Sequence, residues 1–315
     1  MSTPNSAKTK RLLIANPKAG SYRLQKKWKK DIEPFLVKTL VHFDYVFTES
    51  KDHATELTRL GIQDGYNEII CMGGDGSINE VVNGFFENGH LINPKAKLGI
   101  LPFGSGGDFT RSLKLSRNYK KCIDPIIRGH TKNIDVGFIE FENKEFKSRY
   151  FLNIMDIGVV ANIMRKVNTK NKFVPAMIRY VTGSFQGFMK HHNVEVSLRL
   201  YPQGKYQVNL TNLLIANGQY FGRGMRPTPH AVLDDGLFDI LLAKDLNLAR
   251  FALNFPQLYT RKKIVSKNFE TFQANKIEVT KLDPTQKLFV EMDGETYGEG
   301  NVKVSLLPKA IPVLI

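Results

Sequence analysis

In the first hundred residues, short apolar runs alternate with longer segments whose apolar residues recur at helical spacing. The short runs cover residues 11–16, 43–48, 68–72 and 97–101, and the helical patterns cover residues 24–40, 54–60 and 78–86. Such alternation is typical of a parallel sheet with helices on both faces, and ligands of these sheets bind beyond the carboxyl ends of the strands. The pattern therefore predicts an α/β domain whose functional loops follow its strands.

After about residue 135 the pattern changes to apolar runs separated by short turns. The predicted strands cover residues 134–141, 146–154, 194–201, 206–216, 237–242, 276–280 and 288–292. Two helical insertions, roughly residues 158–191 and 247–261, interrupt them. This arrangement favours a β-rich second domain.

A glycine-rich loop directly follows the apolar run at residues 68–72. Residues 73–76 are Gly-Gly-Asp-Gly, and three glycines let a phosphate approach the backbone amides without interference from a Cβ atom. Ser77 and Glu80 have the spacing of a capping box, which predicts a helix whose N-terminus faces an anion. A carboxylate, Asp75, at the tip of such a loop indicates a divalent cation between it and the phosphate.

Two further loops have a similar composition. Residues 101–109 follow the next strand, and their glycines are again followed by an aspartate, Asp108. Residues 16–20, Asn-Pro-Lys-Ala-Gly, follow the first strand. Neither the Walker A pattern nor the dinucleotide-binding G-x-G-x-x-G pattern is present in the sequence. The three loops together predict a phosphate-binding site built differently from those two classes.

The charge excess is concentrated in two segments that contain no acid. The formal net charge is +15, residues 1–30 contain nine basic residues, and residues 157–194 contain six. In the second segment the basic residues alternate with apolar ones, which predicts contact with anionic lipid headgroups. The lysines around Trp28 are expected to form a solvated helix face, and we expect no nucleic-acid partner because no such binding motif accompanies them.

Two cysteines cannot make a disulfide framework, which favours a reducing cytosol. No secretory signal is visible, and the longest apolar stretch, residues 150–164, is interrupted by polar residues and too short to cross a bilayer. We therefore expect a cytoplasmic protein that associates with the membrane only peripherally. The pair His191 and His192 is expected to be solvated, because no further ligand lies at metal-binding spacing.

These loops occur together, in order, in one known family. The strings NPKAG, GGDGSINEVVNG and LPFGSGGDF resemble those of the diacylglycerol kinase catalytic-domain family of soluble lipid kinases, which includes sphingosine and ceramide kinases. The similarity continues through residues 135–137 (DVG), 217–225 (NGQYFGRGM), 231–237 (AVLDDGL) and 293–295 (DGE). A chance GGDG would not be followed by four further matches at suitable intervals.

The resemblance implies a Rossmann-like nucleotide-binding α/β domain over residues 1–137 and a β-sandwich, lipid-binding domain over residues 138–315. It places the active site in the cleft between the domains, and the extreme C-terminus is expected to pack back on the first domain. The implied activity is transfer of the γ-phosphate of ATP, with Mg²⁺, to the primary hydroxyl of a diacylglycerol-like or sphingoid lipid. Family members are often dimers, so a homodimer is expected.

The resemblance also implies roles for individual residues. Glu295 would be the general base on the lipid hydroxyl, and the carboxylates linked to Mg²⁺ in the active site would be Asp75, Asp108 and Asp135. A structural Mg²⁺ site would use the Asp235 carboxylate with the carbonyls of Val232 and Leu237. The nucleotide-binding positions would be Asn16, Pro17, Lys18, Ala19, Gly20, Thr48, Gly73, Gly74, Asp75, Gly76, Ser77, Ile78, Asn79 and Ser105.

Three positions depart from the usual family pattern. Ser77 and Ser105 replace threonine and keep a hydroxyl, whereas Gly107 replaces asparagine and removes a side-chain amide, which puts nucleotide affinity or choice in question. Two other functions remain open at this stage: an NAD kinase, whose related fold also carries a GGDG loop, and a non-catalytic lipid-binding protein of the same fold.

Overall fold

The computed structural model describes residues 9–40, 42–104, 106–159, 188, 192–222, 224–260, 264, 266–293 and 295–315. The chain divides into two compact units. The first contains Met1–Ser105, Leu115–Asn133 and Ile311–Ile315, and the second contains Gly106–Lys114 and Ile134–Ala310. Most of the second acid-free segment, residues 160–187 and 189–191, lies outside the described residues, as does Ser105.

The first unit is the α/β part of the chain. Its strands are β1 (Arg11–Ala15), β2 (Phe43–Phe47), β3 (Glu68–Gly73), β4 (Phe86–Glu87), β5 (His90–Leu91) and β6 (Lys97–Pro102). Its α-helices are α1 (Arg23–Lys27), α2 (Glu33–Thr39), α3 (His53–Gln63) and α4 (Asp75–Gly84). The order β2–β1–β3–β6 is parallel throughout, and β4 and β5 pair separately as an antiparallel hairpin.

The helical pattern at residues 24–40 folds as one helical segment with a local widening. A π-helical turn, Trp28–Ile32, joins α1 to α2, and Pro34 lies in the first turn of α2. Because proline has no N–H to donate to the preceding turn, the regular α-helical ladder cannot continue through it. Trp28 is buried against Phe47, while Lys26, Lys27, Lys29 and Lys30 are exposed as expected for a solvated helix face.

The second unit consists mainly of antiparallel strands. The strands that follow β6 are β7 (Thr131–Phe141), β8 (Arg149–Phe151), β9 (Ile154–Gly158), β10 (Val194–Tyr201), β11 (Gly204–Ala216), β12 (Phe238–Lys244), β13 (Phe269–Ala274), β14 (Lys276–Lys281), β15 (Phe289–Met292), β16 (Glu295–Glu299) and β17 (Val302–Leu314). This unit also contains the α-helices α5 (Asp108–Ser112) and α7 (Leu248–Asn254), whereas α6 (Ile123–Arg128) belongs to the first unit. Two 3-10 helices cover Tyr119–Cys122 and Phe255–Tyr259.

The strands of the second unit follow the order β16–β15–β9–β11–β10–β14–β17. Off this path, β12 pairs with β11 and β13, and β7 pairs with β17 and β8. A core of alternating buried residues lies on one face, including Met155 and Ile157 of β9. The last residues of β17 belong to the first unit, where Val313 pairs in parallel with Leu98 of β6. An α/β part followed by a β-rich part is the predicted fold class, and it is confirmed.

One predicted strand, residues 146–154, is wrong in extent. The chain forms β8 and β9 with a break at Leu152 and Asn153. Asn153 causes the break because its carbonyl accepts the N–H groups of Asn217 and Gly218, so it pairs with a loop and not with a strand. Within the described part of the chain, no helix combines the length and hydrophobicity needed to cross a bilayer.

Candidate functional site

Three loops of the first unit meet at the carboxyl ends of its strands. The loop after β1 is joined to the loop after β3 by a hydrogen bond from Asn16 Nδ2 to Ser77 Oγ at 3.0 Å. The loop after β3 is joined to the loop after β6 by the Phe103 N–H, which donates to the Gly73 carbonyl at 2.8 Å. We refer to residues 16–20, 73–77 and 102–104 as the loop cluster. It brings together the nucleotide-binding positions predicted in these loops.

The helix in the loop cluster begins three residues earlier than the capping box predicted. Gly74 is the N-cap residue of α4, in extended backbone conformation, and the helix starts at Asp75. Ser77 is therefore inside the first turn, where its hydroxyl accepts from Asn16. The Glu80 carboxylate accepts the Ala54 N–H of α3 at 3.3 Å. The capping-box prediction is wrong because both side chains have tertiary partners.

Two glycines allow the loops to approach each other closely. A Cβ atom on Gly104 would lie 2.7 Å from the Gly74 Cα atom, a distance that real Cβ contacts do not reach. Gly20 has φ +61°, a left-handed conformation that side chains disfavour, and a Cβ there would lie 3.4 Å from the Phe103 ring. Backbone therefore lines the cluster at these points, as a phosphate site requires.

The other predicted nucleotide-binding residues lie around this cluster. Thr48 follows β2, and its N–H donates to the Ala15 carbonyl at the end of β1 at 3.0 Å. Lys18 is exposed, and its N–H donates to Asn16 Oδ1 at 3.0 Å. Ile78 and Asn79 are buried in the second turn of α4. Asp75 is half-buried at the N-terminus of α4, the end of a helix that favours negative charge.

Asp135, in the second unit, is fully buried on β7 and accepts two backbone hydrogen bonds. Its Oδ1 accepts the Lys309 N–H at 2.6 Å and its Oδ2 accepts the Gly236 N–H at 2.8 Å. Burial raises the pKa of the Asp135 carboxyl, and the two N–H groups act in the opposite direction. The carboxylate thus joins a loop to β17, although these segments are distant in the sequence.

The loop held by Asp135 contains the predicted structural metal ligands. Asp235 is exposed, and its Oδ1 accepts the Leu237 N–H at 3.1 Å in a tight turn. Val232 is also exposed, and Leu237 is half-buried. One carboxylate and two backbone carbonyls are the hard oxygen donors that Mg²⁺ prefers, so the residues fit the ion chemically. The described residues contain no cluster of three or more acidic, histidine or cysteine side chains that could hold a metal.

Asp108 begins α5 and is paired within the second unit. Its Oδ1 accepts a hydrogen bond from Arg111 Nη1 at 2.5 Å, and the side chain is buried. The Asp108 charge contributes to the raised pKa of Tyr259, after the larger effect of burial. One turn along α5, Ser112 accepts the Gln219 N–H at 3.1 Å. Asp108 therefore lies beside the 217–225 segment.

The turn between β15 and β16 leads to the predicted general base, Glu295. The Asp293 N–H donates to the Ile154 carbonyl at 3.1 Å, and Asp293 Oδ1 accepts the Ile154 N–H at 3.2 Å. Glu295 is the first residue of β16 and pairs with Met292. The side chain of Glu295 lies outside what the structure describes.

Comparison with known proteins decides the family. Residues 10–139 match the diacylglycerol kinase catalytic domain, and residues 153–315 match the YegS C-terminal NAD kinase beta sandwich-like domain. A diacylglycerol kinase of Staphylococcus carnosus is 30% identical over 75% of this chain and 73% of its own length. The chain belongs to the diacylglycerol kinase family. The Bacillus subtilis diacylglycerol kinase is 27% identical over 91% of the chain and 89% of its own length.

Solved structures from Bacillus anthracis have the same fold as this chain. A crystal structure from Bacillus anthracis has a TM-score of 0.76 at 23% identity and covers 97% of this chain and 96% of its own. A second crystal structure, of a diacylglycerol kinase from the same organism, has a TM-score of 0.67 at 22% identity with the same coverage. The resemblance to diacylglycerol kinases seen in the sequence motifs is confirmed, and the chain is a member of a kinase family.

Some contacts around the predicted site residues of the second unit were not predicted from the sequence. Asn217 is fully buried, and its Nδ2 donates to the carbonyls of Asp135 and Leu152 at 2.8 and 2.9 Å. A Cβ atom on Gly218 would lie 2.1 Å from Asn153 Oδ1. Asn217 lies within the 217–225 motif, but no local pattern shows which distant backbone groups a buried amide will contact.

Proposed function

We propose that this protein is an ATP- and Mg²⁺-dependent lipid kinase. It transfers the γ-phosphate of ATP to the primary hydroxyl of a diacylglycerol-like or sphingoid lipid. The loop cluster carries this proposal, because its three loops bring backbone and small polar side chains together at the N-terminus of α4. Phosphoryl transfer depends mainly on positioning and on charge stabilisation, and this arrangement supplies both for a nucleotide phosphate.

Within the loop cluster, each part has a distinct task. The N-terminus of α4 stabilises phosphate charge through its dipole and N–H groups, and Gly74 and Gly104 keep Cβ atoms away from the bound phosphates. Asn16 and Ser77 fix the distance between two loops by their mutual hydrogen bond. Lys18, exposed in the first loop, adds a positive charge near the same site.

Mg²⁺, when bound, neutralises negative charge on the phosphates. Asp75 and Asp108 would hold this ion and its water ligands, and Asp235 with the carbonyls of Val232 and Leu237 would hold a second, structural ion. Asp135 supports the Asp235 loop through its bond to the Gly236 N–H. Glu295 would take the proton from the lipid hydroxyl, and the turn before it is fixed by two hydrogen bonds to Ile154.

Peripheral association with the membrane is part of the proposal. Residues 246–269 contain five basic residues and no acid. On α7, Leu253 is 78% exposed and Leu248 is 37% exposed. The Phe251 ring stacks on Phe188 with 4.6 Å between centroids, which connects α7 to the acid-free segment at residues 157–194. Exposed apolar side chains among basic residues suit an anionic lipid surface. A cytoplasmic location and a homodimer remain predictions.

A phosphorylation assay with a panel of acceptors tests the function. Labelled ATP and Mg²⁺ are offered with diacylglycerol, sphingosine, ceramide and NAD in separate reactions. The proposal expects a phosphorylated lipid and no phosphorylated NAD. Exclusive phosphorylation of NAD would show an NAD kinase, and lipid binding without consumption of ATP would show a non-catalytic protein.

Substitutions at Asp75 and Glu295 test whether these residues act in phosphoryl transfer. Asp75→Asn and Glu295→Gln are each expected to lower kcat by roughly a hundredfold or more, because they remove groups that act on the reacting atoms. Asp64→Asn makes the same change at an exposed residue after α3 and serves as the control. Full activity in both variants for every accepted lipid would refute the assigned roles.

Vesicle binding tests the membrane surface. Leu253→Glu is expected to weaken sedimentation with vesicles of phosphatidylglycerol and phosphatidylcholine, because it places a charge where the proposal has an apolar contact. Leu60→Glu changes another exposed leucine, 50% exposed on α3 of the first unit, and is expected to bind as the wild type does. Equal loss of binding in both variants would contradict the assignment of this surface.

A further inference from the structure

The sheet of the second unit contains a carboxyl pair that the proposed mechanism does not use. Asp156, in the middle of β9, is 0% exposed, and Glu291 of β15 is 3% exposed. The two residues are paired directly across adjacent antiparallel strands. Their neighbours Met155 and Ile157 face the main core, so Asp156 and Glu291 lie on the opposite face of the sheet.

The burial and pairing of the two carboxyls favour a proton on the pair. Its Oδ1 accepts from Asn212 Nδ2 at 2.6 Å. Its Oδ2 is buried and meets no N–H or O–H donor of the described residues. Glu291 lies directly opposite on β15 and is also buried. Two ionised carboxylates can only accept hydrogen bonds and repel each other, so a contact between these two groups needs a proton on one of them.

The pair lies two residues from the turn that leads to Glu295. Asp293 is bound to Ile154 by two hydrogen bonds, and Glu291 faces Asp156 two positions farther along both strands. On the other side of β15 the pairing with β16 shifts between Val290 and Glu291, and then Met292 pairs with Glu295. A slip of β15 by one residue would exchange Glu291 and Met292 between the two faces. The contact with Asp156 opposes that slip.

We propose that Asp156 and Glu291 are positioning residues that share one proton and hold the β15–β16 turn in the register that phosphoryl transfer requires. This inference rests on the proposed function, in which Glu295 is the general base. It adds two residues that touch neither substrate nor nucleotide and act through the backbone that leads to Glu295. Two ionised carboxylates at this position would repel each other and loosen the same contact.

Titration of the pair gives the proposal a measurable pH dependence. Burial raises the pKa of Asp156 to about 7, while the hydrogen bonds from Asn212 and with Glu291 act in the opposite direction. Among the described residues, the groups that face the Asp156 carboxyl are the Asn212 amide on β11 and the Glu291 carboxyl on β15. Because the folded state binds the proton more tightly than the unfolded chain, stability falls as the pH rises from the ordinary pKa range of an aspartate to about 7 and changes little above that.

The test compares the full-length wild type with Glu291→Gln between about pH 6 and about pH 8.5. The glutamine amide that this substitution introduces can donate to ionised Asp156, so the contact no longer depends on a proton. We expect the variant to keep kcat within about twofold of the wild type at pH 6 and to lose the alkaline decline in kcat that the wild type shows. Glu291→Ala removes the contact and is expected to lower kcat roughly tenfold or more with KM for ATP unchanged.

Thermal unfolding supplies a second readout that needs no catalysis. Between about pH 5 and about pH 7, the melting temperature of the wild type is expected to fall more steeply with pH than that of Glu291→Gln. Glu278→Gln, the same substitution on β14 of the same unit, is the control and keeps the wild-type slope. The inference would be overturned if the melting temperatures of the wild type and Glu291→Gln changed equally with pH. It would also be overturned if Glu291→Gln kept the alkaline decline in kcat. A wild type that phosphorylates no lipid would instead contradict the proposed function, and the thermal slopes would still show whether the proton is shared.

Discussion

The side-chain amide of Asn16 donates a hydrogen bond to the hydroxyl of Ser77 at 3.0 Å, across 61 residues of sequence. The same side chain accepts the Lys18 N–H through its Oδ1. One asparagine thus sets the shape of its own loop and fixes that loop to the first turn of α4. Since both segments are predicted to contact the nucleotide, this bond controls the geometry of the proposed phosphate site.

Removal of the Ser77 hydroxyl is therefore expected to weaken nucleotide binding. Ser77→Ala should raise KM for ATP about fivefold, because one hydrogen bond of about 1 kcal/mol is lost while the Asn16 amide stays near the site. Ser77→Thr keeps the hydroxyl and should remain within about twofold of the wild type. Steady-state kinetics with ATP varied at saturating lipid measures both. Equal KM values for the Ser77→Ala and Ser77→Thr proteins would show that the hydroxyl has no part in nucleotide binding.

Because Gly74 and Gly104 approach each other closely, we expect alanine to destabilise the protein at Gly104 but not at Gly74. A Cβ on Gly104 would lie 2.7 Å from Gly74 Cα, whereas a Cβ on Gly74 would lie 3.5 Å from Gly104 Cα, an ordinary contact. Gly104→Ala should lower the free energy of unfolding by about 1–3 kcal/mol through overpacking, and Gly74→Ala should leave it nearly unchanged. Urea unfolding measures the difference. Similar losses in both variants would contradict the steric explanation.

The α/β part of the fold and the loops after its strands could be predicted from the sequence because their signals are local. Apolar runs with helical segments between them predict parallel strands, and Gly-Gly-Asp-Gly after a buried strand predicts a turn that faces an anion. The start of α4 could not be placed correctly, because Ser77 and Glu80 bond to Asn16 and Ala54 from other elements. Tertiary partners override a local capping pattern.

The polar contacts of the second unit were beyond prediction from the sequence for a similar reason. Asp156 was visible as an interruption of an apolar stretch, but its partners Asn212 and Glu291 become neighbours only when β9 pairs with β11 and β15. The contact between Asp135 and Lys309 spans 174 residues in the same way. Strand register determines these pairs, and a single sequence does not show which distant strands will be adjacent.

Both cysteine thiols are expected to be unreactive in the folded protein. Burial raises the pKa of Cys71 well above its ordinary range and that of Cys122 to about 11. At pH 8 both groups are therefore thiols and not the reactive thiolates. Ellman's reagent should label neither cysteine in native protein and both in urea. Rapid labelling of either thiol in the native state would show that its segment opens easily.

Mg²⁺ bound at the predicted structural metal site is expected to stabilise the folded protein. If Asp235 binds Mg²⁺ together with the carbonyls of Val232 and Leu237, addition of Mg²⁺ without nucleotide should raise the melting temperature by a few degrees. Asp235→Asn should abolish the increase, and Asp234→Asn, the same change one residue earlier, should preserve it. Differential scanning fluorimetry with and without EDTA measures the effect. An equal increase in wild type and Asp235→Asn would place the ion elsewhere.

The two hydrogen bonds accepted by Asp135 predict that an amide cannot replace its carboxylate. In Asp135→Asn, one of the N–H groups of Gly236 and Lys309 would face an NH₂ group in a buried position, since an amide has one acceptor oxygen. The free energy of unfolding should fall by about 1–3 kcal/mol at neutral pH because a buried donor is left unsatisfied. Urea unfolding of this variant beside the exposed control Asp64→Asn measures the loss. Wild-type stability in Asp135→Asn would show that the carboxylate does not hold the loop to β17.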